Sequence, residues 1–388
     1  MPQDSLPLAF PAAELDARRT RLTEELERRS LDGLVVSVPE NIYYLTGLDH
    51  WGFFACHVLL VPIAGPMILV ARAIERITFE NQVSNAEFIG YGDAADPAEA
   101  VIAGLKQLHL SPARVGLEKN SLFLTLRIAE SLQAGTPEVE WIDASGILDL
   151  IRRVQSPLEQ EYTRKAAVAA DAGTLAAIGA VRDGVSDYVL AAECQRAMTL
   201  AGSEYPGFGP FIRPTRRLGE EHTTWRGDVF HRGDAVFLEI GAAYRKYQAP
   251  MGRLVFVGTV PELAGEAAEL SIRGMDAIRH AVTPGATAND VYQAWQAVAD
   301  EAGLGHYRRH HCGYLVGIGF PPSWTGGSMV TSLRPGGTLE LKPGMAFHLH
   351  SWFTNTGRGD YFISNTALLT DQGCEILTSG TPQELQVR

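Results

Sequence analysis

The chain has 388 residues, 46% of them hydrophobic and 20% charged, enough to bury the cores of two globular domains. A formal net charge of −12, with no run of Lys and Arg, argues against a nucleic-acid partner, and no apolar stretch approaches the roughly 20 residues that span a bilayer. Four widely spaced cysteines (Cys56, Cys194, Cys312, Cys374) show no CxxC spacing, and the opening MPQDSLPLAF has no basic segment before an apolar run; both predict a reduced, cytoplasmic setting without a signal peptide.

Residues 14–30 read as a charged surface helix. Leu34–Val38 is expected to be a short buried strand and Asn41–Gly47 a loop or short helix. HVLLVP (His57–Pro62) and MILV (Met67–Val70) predict a strand pair across Ile63–Pro66. Arg114–Leu117 and Val139–Ile142 suggest further strands with helices between, so the N-terminal third reads as a small mixed α/β domain. RRVQSPLE (Arg152–Glu159) reads as a boundary, giving domains over 1–155 and 156–388. Ser156 suits an N-cap, Pro157 the first helical position and Glu159 the return bond of a capping box, with an Ala-rich helix to about Ala180.

The second domain carries an internal repeat. Ser186 and Thr287 each follow a Val-x-x-Gly segment and start a helix that ends at a Gly, with an offset of 101 residues. The run RGDAVFLE then matches KPGMAFHLH, placing Gly233 against Gly344 and Glu239 against His350. Two helix-helix-sheet halves of this kind close on a cleft, a common place for a ligand.

Three segments concentrate polar groups on apolar frames. Glu239 ends the buried run Ala235–Leu238; it is either paired with an arginine such as Arg253 or lines the cleft as nucleophile, base or ligand. His348 and His350 alternate along a strand and share a face, as half a metal site or as a polar patch above the core. His222, within EHTTW, reads in isolation as a surface or capping histidine, and Tyr314 as a core tyrosine with a satisfied hydroxyl. No GxSxG, P-loop, GxGxxG or HExxH occurs, which removes support for serine-hydrolase, nucleotide-dependent and zincin chemistry.

Together these segments resemble the pita-bread superfamily of aminopeptidases, prolidases and creatinases. ENIYYLTG is similar to its N-x-x-Y-L-T-G, and RRVQSPLE to its R-x-x-K-S-P-x-E. The resemblance implies an α/β fold in which a small N-terminal mixed domain precedes a pita-bread domain with a two-fold repeat. It also implies five metal-ligand positions, which fall here on Glu239, Pro250, Tyr314, His350 and Ser364. Only Glu239 stays acidic. The family's substrate-side histidines fall on His222 and His310. SEYPGFGPF, HTTW, YQAPMGR and HHCGYLVGIGFPPSW are most similar to the metal-independent creatinase and ectoine hydrolase branch.

That branch implies hydrolysis of a C–N bond in a small cationic or zwitterionic substrate, without metal or other cofactor. The catalytic pair would be His222 as acid/base and Glu239 as nucleophile or cation anchor. His310, Tyr314, His348, His350, Arg253 and Trp225 would line the substrate. The expected partners are a small molecule and a second copy of the chain, with neither membrane nor nucleic acid. The alternatives are an Xaa-Pro metallopeptidase with a site rebuilt on His348, His350, His222 and Glu239, and a non-catalytic small-molecule-binding member of the fold.

Overall fold

The computed structural model describes residues 8–326 and 330–388, which form two compact units, residues 8–152 and the described residues from Arg153 onward. Among the described residues no helix is long and apolar enough to cross a membrane.

The first unit is a six-stranded sheet with helices. Its elements are α1 (Ala12–Arg28), β1 (Gly33–Val36), α2 (Pro39–Thr46), β2 (Val58–Pro62), β3 (Met67–Arg72), α3 (Arg76–Gln82), β4 (Ala86–Tyr91), α4 (Pro97–Gln107), β5 (Arg114–Leu117), α5 (Leu126–Gly135), β6 (Glu140–Asp143) and α6 (Ile147–Arg152). The strand order is β4-β3-β2-β1-β5-β6. The expected pair β2–β3 forms an antiparallel ladder, and β5 has the expected limits. β1 stops two residues short of the reading from sequence because the amides of Ser37 and Val38 turn to the buried Glu118 carboxylate, at 2.7 and 3.0 Å, and α2 starts at once. Asn41–Gly47 is therefore helical up to Thr46, and Gly47 ends it in the left-handed conformation at φ 77°. β4 was not expected; it is a sheet edge with one buried residue, so it carries little apolar signal.

The second unit begins with α7 (Pro157–Ala180), started by the capping box read from sequence: Ser156 Oγ accepts from the Glu159 amide at 3.3 Å, and the Glu159 carboxylate accepts from the Ser156 amide at 2.7 Å. Such caps stabilise a helix by about 1 kcal/mol. There follow α8 (Asp187–Leu200), β7 (Phe211–Pro214), β8 (Ala235–Tyr244), β9 (Tyr247–Phe256), α9 (Ala264–Ala281), α10 (Ala288–Glu301), β10 (Gly313–Leu315), β11 (Ala346–Phe353) and β12 (Tyr361–Thr370). The sheet order β10-β11-β12-β9-β8-β7 reads the same from either end as a helix-pair repeat, which is the two-fold pita-bread arrangement expected from the resemblance. Ser186 and Thr287 cap corresponding helices, and Gly233 and Gly344 adopt corresponding left-handed turns, at φ 96° and 91°, before β8 and β11.

The repeats meet at β9–β12, where Gly252 pairs with Ser364 and Arg253 with Ile363. Strand alternation divides the side chains between two faces. Val236, Leu238, Ile240, Met251 and Val255 pack against the alanines of α7 and against α8. The opposite face carries Phe211, Arg213, Phe237, Glu239, Gly252, Ser364, Phe362, His348, His350 and Tyr314, as the ladder registers require.

Candidate active site

One row of cross-strand neighbours frames this face: Phe211 beside Glu239, Glu239 beside Gly252, Gly252 beside Ser364, and Ser364 beside His350. The two positions matched by the repeat, Glu239 and His350, thus stand at corresponding places on β8 and β11, with small residues between them. That gap is filled by an aromatic ring. A Cβ on Gly252 would lie 2.2 Å from the Phe362 ring and 2.9 Å from Ser364 Oγ. Phe362 is held by Phe237 and Trp352 at centroid distances of 4.8 and 4.5 Å and has little room to yield. Gly252→Ala is therefore expected to cost roughly 1–3 kcal/mol by overpacking, read as a lower denaturant midpoint; an unchanged midpoint would show that the ring can move aside.

A directed chain of hydrogen bonds crosses the site. Trp324 Nε1, which can only donate, reaches the Tyr314 hydroxyl at 2.8 Å. The Tyr314 hydroxyl is in turn hydrogen-bonded to His348 Nδ1, 2.8 Å away. His348 Nε2 lies 2.8 Å from Ser364 Oγ, and in the tautomer whose Nδ1 accepts from Tyr314 it donates to that hydroxyl. His350 Nε2 approaches the same His348 Nδ1 at 2.9 Å. One imidazole nitrogen cannot serve both neighbours fully, so either Tyr314 or His350 keeps hydrogen-bonding capacity for a ligand. Burial holds both His348 and His350 well below the ordinary histidine range, and each is pushed further down by neighbouring histidines, so the cluster is neutral.

Glu239 is 8% exposed, and burial raises its carboxyl to about 7. Arg213 opposes that rise, Glu221 adds to it, and Arg309 opposes it more weakly. No hydrogen bond to its side chain is formed among the described residues. A buried carboxylate poised near neutrality is the state expected of a catalytic group.

The structure distributes the other candidates unevenly. His222 is exposed, with a left-handed backbone at φ 52°, and its ring lies 6.1 Å from Phe211, the cross-strand neighbour of Glu239. It stands at the rim of the site. His310 is exposed and stacks edge-on with His311 at 4.2 Å. It is His311 that reaches inward, 5.4 Å from Tyr314 and 5.6 Å from His350, with burial lowering it to about 3. Trp225 packs against Gly209 and the helix-side core rather than beside Glu239. Arg253 projects from the opposite face, where its guanidinium donates to the carbonyls of Gly252, Ser364, Thr381 and Pro382 and to Asn365 Oδ1 at 2.7–3.0 Å; it does not pair with Glu239. The charged neighbour of Glu239 is instead Arg213, which the sequence reading did not select. Its only sequence signal is a cation inside the apolar run Phe211–Pro214, and its neighbours on β8 lie more than twenty residues away. Trp324 was not selected either, and Ser364, read only as a replaced ligand position, gains a hydrogen-bonding role to His348.

Ligand atoms of Glu239, His348 and His350 lie within 4.8 Å of one another, close enough to grip one metal ion. A dinuclear centre does not fit. It needs bridging carboxylates, this group offers one, and Pro250 and Ser364 hold two of the positions where the resemblance expects acids. A single ion would compete with the hydrogen bonds that engage both His348 nitrogens.

Comparison with known proteins places these features in context. Residues 161–371 match the model of metallopeptidase family M24, and residues 18–154 that of the creatinase/prolidase N-terminal domain. The chain is 28% identical to an ectoine hydrolase of Halomonas elongata over the full length of both proteins. It is 29% identical to an uncharacterized hydrolase/peptidase of Sinorhizobium fredii, over 98% of this chain and 99% of the relative. A prolidase from Thermococcus sibiricus superposes with a TM-score of 0.86 at 20% identity, covering 97% of this chain and all of that one, a likeness of fold.

Proposed function

Since this chain belongs to metallopeptidase family M24 and is a hydrolase of the creatinase/prolidase superfamily, we propose that it cleaves a C–N bond in a small cationic or zwitterionic molecule without a dinuclear metal centre. The observation that carries this reading is Glu239: a single buried carboxylate, raised to about 7, facing a neutral histidine–tyrosine cluster. A cationic amidine-type carbon suits that environment, because the ligand's charge offsets the cost of burying the carboxylate. Glu239 then either attacks the carbon or accepts a charge-assisted hydrogen bond from the amidinium N–H. His222 at the rim takes a proton from water and returns it to the leaving nitrogen. Tyr314 or His350 supplies a hydrogen bond to the oxygen that forms.

The test is hydrolysis of ectoine and related cyclic amidines in the presence of chelator, alongside His222→Ala. Turnover that survives chelation and falls roughly 100- to 10,000-fold in His222→Ala supports the assignment. A His222→Ala protein with wild-type turnover ends the proposed role of that residue. Intact-protein mass during stalled turnover separates the two roles of Glu239, since only a nucleophile adds substrate mass.

One observation favours a second reading. Glu239, His348 and His350 are grouped closely enough for a mononuclear metallohydrolase. Elemental analysis of protein purified without chelator decides between the two: about one equivalent of metal, lost in His350→Ala together with activity, would replace the metal-free assignment.

A further inference from the structure

Arg213 is 1% exposed, and its Nε, Nη1 and Nη2 have no hydrogen-bond partner among the described residues. Its guanidinium lies over the Phe237 ring, with Cζ 4.0 Å from the centroid. Nearby arginines are treated differently. Arg217 donates to Glu220, Asp228 and the Thr224 carbonyl, and Arg253 fills its donors with four carbonyls and Asn365. Arg213 is not within ion-pair distance of Glu239, although Glu239 is the largest charge acting on it and Glu221 the next. A buried guanidinium with unspent donors is costly, and five N–H groups in a fixed fork suit a carboxylate held by two of them.

Its position relative to Glu239 is set by the ladder. Arg213 pairs with Phe237 and Phe211 with Glu239, so the two charged side chains share a face and are offset by two residues, roughly 7 Å along the strands. Opposite charges at that spacing match one small zwitterion: its cationic C–N group against Glu239 and its anionic group a few bonds away against Arg213.

We infer that Arg213 is the anchor for a substrate carboxylate, and that this residue, two strand positions from Glu239, is what selects an acid over its amide. The inference deepens the hydrolase proposal and rests on it for the word substrate; the carboxylate site itself does not. Phe237 beneath the guanidinium orients the fork, so an ammonium in its place loses the two-point contact.

The experiment compares wild type, Arg213→Met and Arg213→Lys by thermal midpoint, alone and with millimolar ectoine, ectoine carboxamide, glycyl-proline and glycyl-prolinamide. At least one carboxylate is expected to raise the wild-type midpoint by several degrees while its carboxamide does not. Arg213→Met should lose that shift and Arg213→Lys keep only part of it. Without ligand, Arg213→Met should melt at or above the wild-type temperature, because it removes an unpaired buried charge. A lower midpoint for unliganded Arg213→Met would assign the residue to the structure and overturn the inference. So would equal shifts from acid and amide, a shift retained in Arg213→Met, or no shift of the wild type by either carboxylate. Turnover is read separately: a carboxylate shift that needs Arg213 in a protein that hydrolyses none of these compounds would keep the anchor and sink the proposed metal-free C–N cleavage.

Discussion

Glu239→Gln is expected to lower kcat by roughly 10,000-fold or more if Glu239 is the nucleophile, and by roughly 100- to 1,000-fold if it serves as an electrostatic anchor. The substitution keeps size and shape, so the fold should be retained. A loss below tenfold would end the proposed role of Glu239. The pH profile offers a second reading. Burial raises the carboxyl from 4.5 to about 7, and the ionised form is the one that attacks or holds a cation, so wild-type kcat/KM should rise with pH through a limb near 7. The effect on stability has the opposite sign. The folded state holds the Glu239 proton more tightly than the unfolded chain does. The associated stability is fully present below about 4.5 and lost as pH rises through about 7, a total of roughly 3 kcal/mol. Glu118, also raised to about 7 by burial, adds a slope of the same sign, so the informative quantity is the difference between wild type and variant. Glu239→Gln should be more stable than wild type at pH 8, with the gap closing toward pH 5. A gap independent of pH between those values would mean that Glu239 does not titrate there. Denaturant midpoints at the two pH values check this.

Arg253→Met is expected to destabilise the protein by roughly 3–5 kcal/mol, because it strips the partner from a set of buried acceptors. Arg253 is 1% exposed, as is Arg213, and burial lowers it to about 10. Its five hydrogen bonds join the β9–β12 seam, through Gly252 and Ser364, to the carbonyls of Thr381 and Pro382. Thr381 is in turn held by Asp171 of α7 at 2.6 Å. Loss of Arg253 leaves four carbonyls and an amide oxygen to find other donors in a site without water access. Equilibrium unfolding measures the cost, and a change under 1 kcal/mol would mean that those carbonyls are readily satisfied otherwise. At temperatures where the variant is folded, turnover should be nearly unchanged, since the guanidinium lies on the face away from Glu239. Two arginines of equal burial are thus expected to respond oppositely to the same replacement, and the hydrogen-bond inventory, not the burial, separates them.

The residues that were legible in sequence share a property: their signal is local or repeated. Ser156, Pro157 and Glu159 announce the start of α7 within four positions, because a capping box is made by neighbours in the chain. The 101-residue offset between Ser186 and Thr287, with Gly233 against Gly344, gave the two-fold sheet and set Glu239 and His350 at matching places. The misread strand end at Val36 and the missed β4 had their causes elsewhere: Glu118 captures two amides from eighty residues away, and β4 lies at a sheet edge where little apolar surface is buried.

By itself, then, the sequence determined the α/β class, the internal duplication and the family resemblance. Only the tertiary structure decided which arginine faces Glu239. Arg253 and Arg213 are both cations in apolar strands, and the strand period alone does not say which face meets the helices. That is set by the pairing of β7 with β8 and of β9 with β12, contacts between residues 22 to 112 positions apart in the chain. The same pairing puts His348, half of a possible metal site, at the centre of a hydrogen-bond chain, because Tyr314 and Ser364 reach it from the strands on either side. Local periodicity fixes where a side chain points along its own strand; what it meets there depends on long-range registers that no short stretch of sequence encodes.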